Sequence, residues 1–409
     1  MNNRTVTRSA VASGPLITKT GSFLPVLLFF LSLYPQLSTD MYLPALPLMI
    51  KVFDTSGSTI NLTVIFFFIF FAIATLFWGP LSDQFGRRPT LLIGIALYSL
   101  ASIGCVFSES VNQLIFARIL QAIGAGAPMT ISFSIVQDRY TGEAKKKLLS
   151  ILSALTMTAP AVAPIMGSTI LVVFDWRMIF VLLFLLGVGS FIGCLFLTES
   201  CPAKITRNST ESNFFKGIPR VLSRTFFRQS LLVFSLPAIC ALGFVGASPL
   251  IFMKEFGLDS RTFSYLFAAN AVVSILGSLL YIPISKILSN KTITAAAFLI
   301  LALSGVLVTL FGGSDPYLFL LCLLPGSLMV AMTRPLSVHL MMDSAGPDSG
   351  AASAIINFLF TIFGSLGIYL ISMEWDSMAS VYGIIAIVAG GVSFVAWPLV
   401  CRNHPAHVQ

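Results

Sequence analysis

Apolar runs and polar breaks alternate along this 409-residue chain, and their spacing predicts its architecture. A helix that crosses the hydrocarbon core of a bilayer needs about 20 largely apolar residues. Twelve segments meet that length, near 23–48, 60–82, 90–108, 112–137, 148–173, 177–198, 229–252, 262–285, 292–312, 317–342, 350–372 and 378–400. The breaks between them are short and hold turn residues and charges, as in Asp54-Thr-Ser-Gly57, Gly312-Gly-Ser-Asp-Pro316 and Ala345-Gly-Pro-Asp348. One gap is different. Residues 199–228 form a polar stretch with six basic side chains after the sixth span. It separates two halves, 23–198 and 229–400, with a tail 1–22 before them and 401–409 after. The pattern predicts an all-α integral membrane protein of twelve transmembrane helices in two pseudo-symmetric six-helix bundles.

Composition strengthens that picture. Hydrophobic residues make up 56% of the chain, with 36 Phe, and the mean hydropathy is +0.92. Only 24 Lys and Arg and 16 Asp and Glu are present, about a tenth of the chain, whereas a soluble domain carries roughly a quarter. Such a chain cannot cover a water-exposed surface. That excludes a soluble enzyme, a disordered scaffold and, despite a net charge of +8, a nucleic-acid binder. Six Cys without a C-x-x-C and three His leave little for a metal site, and neither a disulfide nor a cofactor is expected. The Ser/Thr-rich start with Arg4, Arg8 and Lys19 superficially resembles a signal peptide. The apolar run from Phe23, however, contains Asp40 and continues to about Leu48 with no small-residue cleavage site, so an uncleaved first span is expected.

Orientation follows from Lys and Arg. With the N-terminus inside, 18 basic residues fall on that side against four outside (Lys51, Arg177, Lys254 and Arg261), and Arg118 and Arg334 lie within spans. Both termini are therefore expected in the cytoplasm. Six plus six spans with a long internal link suggests a secondary transporter built from repeated halves. A weak repeat fits: Gly79-Pro-Leu-Ser-Asp-Gln-Phe-Gly-Arg-Arg-Pro89 after span two aligns, 203 residues on, with Ile282-Pro-Ile-Ser-Lys-Ile-Leu-Ser-Asn-Lys-Thr292 after span eight.

These residues resemble a known family. Gly79, Asp83, Gly86, Arg87 and Arg88 match the loop 2–3 signature G-x-L-x-D-x-x-G-R-[RK] of the major facilitator superfamily. Arg118-Ile-Leu-Gln121-Ala-Ile-Gly124 in span four is similar to the R-x-x-Q-G-x-G pattern of its drug exporters, with Ala122 at the first Gly. Ala159-Pro160-Ala-Val-Ala-Pro164-Ile-Met-Gly167 in span five looks like the antiporter motif. Asp40-Met-Tyr42-Leu-Pro44 in span one resembles the Bcr/CflA branch of drug:proton antiporters. The specific motifs all lie in the first half. The resemblance implies the major facilitator fold, proton coupling by Arg118 with Gln121, and a charge cluster of Asp83, Arg87 and Asp138 that latches an inner gate. Some relatives carry a second membrane acid one or two turns earlier in span one; here Ser32 and Gln36 occupy those turns.

Asp40 is the one acid inside the predicted spans. An ionised carboxylate in hydrocarbon is expensive, so such a residue normally faces a cavity and functions there. Desolvation favours the neutral form, which lets an acid take up and release protons, and the same group can hold a cationic substrate. The competing reading has Asp40 capping a proline-broken turn. Arg118 lies at a similar depth, which permits contact; otherwise its side chain snorkels outward alone. In the loop motif, Gly79 suits close helix approach, Gly86 a tight turn, and Asp83 the partial positive charge of a helix start, with Gly350 opening span eleven on that face. The alternative is membrane anchoring by Arg87 and Arg88. Pro160, Pro164 and Gly167 allow span five to bend or pack closely, beyond the plain kink that prolines give. Arg334 in span ten either snorkels or binds an anion in the cavity. Asn61, Asn270 and Asn357, with Asp40 and Tyr42, are the other candidates to line it.

No G-x-x-x-x-G-K-[ST], H-E-x-x-H or G-x-S-x-G occurs, so ATP-driven transport and intramembrane hydrolysis have no visible centre. The leading reading is a proton-coupled exporter of small amphipathic compounds, a monomer in a bacterial cytoplasmic membrane, with protons, lipid and a small molecule as its partners. A dedicated carrier for one anionic or zwitterionic metabolite, such as a siderophore, is the rival within transport. A receptor or enzyme on a transporter-like scaffold is the rival outside it.

Overall fold

The computed structural model describes residues 23–199 and 217–403. The expected tail 1–22, residues 200–216 of the central link and the final residues 404–409 lie outside the described residues. Among the described residues there is no strand, and helices account for nearly all of them.

The first predicted span differs most from a simple rod. It forms α1 (Phe23–Ser32), α2 (Tyr34–Asp40), a 3-10 turn (Leu43–Ala45) and α3 (Leu46–Val52), with a 44° bend between α1 and the rest. Each new segment starts with a proline at its first or second position: Pro35, Pro44 and Pro47. A proline there loses no helical bond of its own but blocks continuation from the turn before. The other five spans of this half are α4 (Gly57–Phe85), α5 (Arg87–Val106), α6 (Val111–Arg139), α7 (Gly142–Val173) and α8 (Arg177–Leu195).

The second half starts earlier than expected, because residues 217–222 are already helical and α9 begins at Thr225. Span seven consists of α9 (Thr225–Ser235), α10 (Ala238–Pro249) and a π-helical turn (Leu250–Glu255), interrupted at Pro237. It is followed by α11 (Ser260–Ile284), α12 (Asn290–Phe311), α13 (Pro316–Ala345), α14 (Ser349–Ile371) and α15 (Met378–Asn403). Eleven segments among the described residues are long and apolar enough to cross a membrane, or twelve with the bent first span.

The breaks supply the helix caps. Ser56, Ser110, Asp259, Ser289 and Asp315 each accept a backbone N–H from the first turn of the helix that follows. Two carboxylates cap helices from a distance. Glu199 accepts the N–H groups of Arg87 (2.9 Å) and Arg88 (3.1 Å), and Glu255 those of Met378 (3.0 Å) and Ala379 (3.2 Å). Each puts negative charge at the positive end of a helix dipole.

Helices α4, α5, α6 and α8 pack together in the first half, and α10 to α15 in the second. The halves meet along α7 against α11 and α4 against α14. Because the helices alternate in direction, Arg87, Arg139, Lys145, Lys286, Lys291 and Arg402 gather at one end, called the basic end below. The turns 85–87 and 284–290 that the weak repeat aligned lie at that end in equivalent positions of the two halves.

Candidate transport site

The break in span one creates the first polar centre. In an unbroken helix the carbonyl of Ser38 accepts the N–H of Tyr42. Here the Tyr42 N–H turns to Thr39 instead (3.2 Å), and Arg118 Nη1 from α6 donates to the freed Ser38 carbonyl at 2.9 Å. The same nitrogen donates to Gln121 Oε1 (2.6 Å), and Gln121 Nε2 donates to Ser102 Oγ on α5 (2.8 Å). Ser38 Oγ also lies 2.7 Å from the Tyr98 hydroxyl. Arg118 is completely buried, at 0% exposure, so it does not snorkel. Its Nε and Nη2 have no hydrogen-bond partner among the described residues. The guanidinium carbon instead lies 4.2 Å from the Phe67 ring centre and 4.9 Å from that of Tyr42, so aromatic faces offset the charge.

Asp40 is 4% exposed and lies two residues beyond the carbonyl that Arg118 holds. Thr39 Oγ1 donates to its Oδ1 at 2.9 Å. Among the described residues, no Lys, Arg or His nitrogen lies within 4.0 Å of the Asp40 carboxylate. The similar depth of Asp40 and Arg118 thus becomes a link through the Ser38 backbone, not an ion pair.

The second centre is a cavity of about 460 Å³ at mid-depth. Helices α10, α11 and α13 form most of its wall, and the first half contributes Met157 and Pro160 of α7. The wall is apolar and aromatic apart from Asn270, three serines and Arg334. Arg334 Nη2 donates to Asn357 Oδ1 (2.8 Å), and its guanidinium carbon lies 3.9 Å from the Phe360 ring centre. Asn270 and Arg334 thus line this cavity, with Asn357 beside Arg334.

Three of the expected lining residues lie elsewhere. Asp40 stays in the broken first span. Tyr42 is buried against Arg118 and Phe180, with its hydroxyl 2.9 Å from Thr63 Oγ1. Asn61 Nδ2 donates to the Gly246 carbonyl (3.0 Å) and to Ser372 Oγ (2.5 Å), joining α4 to α10 and the end of α14. A buried amide needs partners, and the opposite half supplies them. Ser264 of α11 adds a bond across the halves to the Pro164 carbonyl of α7 (2.9 Å). The Asn61 and Ser264 bonds tie the two halves together toward the end opposite the basic one, called the closed end below.

The loop motif assembles within the first half. Arg87 Nη1 lies 2.5 Å from Asp83 Oδ1, and Arg87 Nε lies 2.9 Å from Asp138 Oδ2. Arg88 donates to the Leu195 carbonyl (2.7 Å), so it ties α5 to the end of α8 and does more than anchor. Gly86 has φ +98°, a left-handed conformation that suits glycine. Gly79 departs from expectation: a Cβ there would meet Thr130 at an ordinary 3.7 Å, so no close approach requires glycine. Around Gly350 a Cβ would meet nothing within 4 Å.

The span-five motif divides among three surfaces. Pro160 faces the cavity, Pro164 offers its carbonyl to Ser264, and a Cβ at Gly167 would lie 2.0 Å from the Met41 carbonyl oxygen. Helix α7 is thus pressed onto the break in span one, one residue from Asp40. Four contributors escaped the sequence reading: Phe67, Ser102, Glu199 and Phe360. Phe67 and Phe71 stack at i, i+4 spacing, a signal hidden inside the Phe66–Phe71 run.

The profile of the Major Facilitator Superfamily matches residues 28–368. MFS-type transporter YdgK of Bacillus subtilis is 28% identical over 379 residues, covering 91% of this chain and 94% of that protein. Multidrug resistance protein MdtL of Citrobacter koseri is 28% identical over 388 residues, with coverage of 91% and 94%. A solved bacterial homolog of the human lysosomal transporter Spinster, titled inward-facing and occupied, superposes with a TM-score of 0.73 at 14% identity, covering 96% of this chain and 99% of that one. That last likeness concerns the fold alone. A broken, Arg118-braced first span and a mid-depth cavity thus occur in a fold and sequence lineage of transporters, and the chain belongs to the Major Facilitator Superfamily.

Proposed function

We propose that this chain is a proton-coupled secondary transporter that exports small amphipathic compounds by alternating access. One observation carries the reading: a buried acid, Asp40, lies at the break of span one beside a carbonyl braced by Arg118, apart from an apolar cavity. Proton and substrate then have separate sites, linked through span one and through α7, which touches both the break at Gly167 and the cavity at Pro160. The kinship with proteins named multidrug resistance protein MdtL supports drug-like substrates.

The positive-inside tendency puts the basic end and both termini in the cytoplasm of a bacterial cell, with the protein acting as a monomer in the cytoplasmic membrane. The closed end then faces outward. In this cycle, protonation of Asp40 from outside neutralises the carboxyl and weakens the hydrogen bond it accepts from Thr39 Oγ1. Arg118 and Gln121 relay the change into α6 and α5. The Asn61 and Ser264 contacts hold the outer end closed until the halves rock, and the Asp83–Arg87–Asp138 cluster latches the inner end in the alternate state. Pro160, Pro164 and Gly167 let α7 flex between the two.

Purified protein in proteoliposomes, given a chemically diverse panel with and without a pH gradient, tests the reading. Gradient-driven movement of apolar and amphipathic compounds is expected, and Asp40→Asn abolishes the gradient dependence. Near-normal gradient-driven transport by Asp40→Asn would overturn it.

A further inference from the structure

Arg334 is the charged residue in the cavity wall, and the fold prepares it for an anion. It lies on α13, eleven residues from the helix end at Ala345, or about 16 Å at 1.5 Å per residue. A cation at that depth in a membrane protein normally has a counter-charge or carries function. Among the described residues no carboxylate lies within 4.0 Å of it, and the cavity wall contains no Asp or Glu.

Two contacts fix the group without neutralising it. Asn357 takes one N–H from Nη2, and the guanidinium lies over Phe360. A guanidinium carries five N–H donors in a planar fork that matches a carboxylate or phosphate edge. Nε and Nη1 have no protein acceptor among the described residues. Asn270, also in the wall, has an Oδ1 that is buried and unpartnered among the described residues, an acceptor that suits a donor group on the body of the ligand and not its anionic end. The rest of the wall, including Phe244, Phe267 and Tyr382, is apolar or aromatic. A volume of about 460 Å³ suits one drug-sized molecule.

We infer that Arg334 is the anion subsite of this cavity, so that the preferred cargo is an amphipathic monoanion: an aromatic or aliphatic body in the α10–α11 wall and a carboxylate on the Arg334 fork. The inference rests on the transport reading for the word cargo, but the subsite itself does not depend on proton coupling. It also assigns a cost to cationic amphipaths, which would lie against an uncompensated guanidinium. A phospholipid phosphate is the other source of the same anionic chemistry.

The test is equilibrium binding to the purified full chain in neutral detergent, with 1-naphthaleneacetate and its uncharged amide, 1-naphthaleneacetamide, as probes. The acetate binds about ten- to a hundred-fold more tightly than the amide, the range of a charge-assisted pair in a partly dry site. Arg334→Gln removes that preference by bringing acetate affinity down to the level of the amide, whereas Arg334→Lys keeps part of it. Equal affinity of the wild type for the two probes, or a preference that survives Arg334→Gln, overturns the subsite. Should Arg334→Gln not purify as a folded protein, Asn357→Ala and Phe360→Leu loosen the fork while keeping the charge. They reduce the preference about three- to tenfold, and no reduction overturns the proposal. Neutral detergent, which carries no phosphate, compared with nanodiscs of phosphatidylcholine alone or with added phosphatidylglycerol, separates the two anion sources. Unchanged acetate affinity across all three supports a soluble cargo; full displacement by either lipid identifies a lipid headgroup and overturns it. Binding is read without a gradient, so its failure leaves proton-coupled export standing, and failure of gradient-driven transport leaves the binding result standing.

Discussion

Arg118 and Arg334 both lie deep inside spans, yet the protein treats the two charges in opposite ways. Arg118 is sealed: its Nη1 bridges a freed backbone carbonyl and Gln121, and aromatic rings cover the rest of the group, whose Nε and Nη2 have no hydrogen-bond partner among the described residues. Arg334 is fixed at one nitrogen and open at the others, with a cavity in front of it. Each guanidinium is hydrogen-bonded through one nitrogen, so the difference lies in what faces the rest of the group: aromatic rings enclose Arg118, and a cavity lies before Arg334. Enclosure makes Arg118 part of the framework that holds the broken first span, next to the acid. Openness to the cavity makes Arg334 a recognition element. The first half, which carries all the sequence motifs, is accordingly the ordered half of the site, and the second half is the hollow one.

Lysine in place of each arginine separates the two roles most sharply. A lysine keeps the charge but has no planar fork, and it stacks less well on aromatic rings. At Arg118 it loses the guanidinium plane that lies against Phe67 and Tyr42, and with it the fixed position of the one nitrogen that serves both Ser38 and Gln121. At about 1.5–3 kcal/mol for a hydrogen bond to a charged group, the gradient-driven initial rate is expected to fall about 100-fold. Arg334→Lys, assayed beside it in proteoliposomes with an uncharged substrate, is expected to stay within about threefold of wild type, because only the anion site is touched. Equal losses in the two variants would erase the distinction between a framework arginine and a recognition arginine.

Much of this was legible in the sequence, for reasons that also explain the rest. The span count and the two halves follow from a solvent that admits few charges, so hydropathy alone reports them. Asp40, Arg118 and Arg334 stand out because each is a costly exception to that rule. What the sequence could not convey is how each exception is compensated. Arg118 meets span one through a main-chain carbonyl, and that carbonyl is free only because the Tyr42 N–H turns to Thr39 in the 3-10 break. Side-chain identities do not encode that choice, although Pro35, Pro44 and Pro47 marked where the helix would break. As a polar residue inside a span, Asn61 is a candidate to line the cavity; its partners are instead Gly246 and Ser372 of the other half. Glu199 was read as loop, although it caps the very helix that opens with Arg87 and Arg88.

Asn61 carries the next largest effect, since it ties the ordered half to the hollow one. Hydrogen bonds between helices in membranes average about 0.6 kcal/mol and reach about 1.7. Losing both of its bonds in Asn61→Ala is therefore expected to shift the balance toward an opened outer end by about tenfold. Spin labels at Lys51 and Trp375, both exposed at that end, report this as a larger population of long distances in double electron–electron resonance. An unchanged distribution would mean that apolar packing, such as Leu250 against Gly57, holds the end closed without help.

The smallest expected effect tests how far the ordered half extends from Arg118. Ser102 Oγ accepts from Gln121 Nε2 and donates to the Tyr98 carbonyl, so it is the outer link of the chain Ser38–Arg118–Gln121–Ser102. In Ser102→Ala, Gln121 keeps its contact with Arg118 but its amide nitrogen loses an acceptor. One such bond is worth about 0.6–1 kcal/mol, which predicts a roughly three- to fivefold fall in gradient-driven rate and no change in binding of the naphthalene probes. The size of the fall carries the information. A loss as large as that of Arg118→Lys would mean that the chain acts as a unit, so that breaking any link frees the guanidinium. A fall confined to the rate, with probe binding untouched, would keep the proton-linked framework and the anion-binding cavity as separate parts of one cycle.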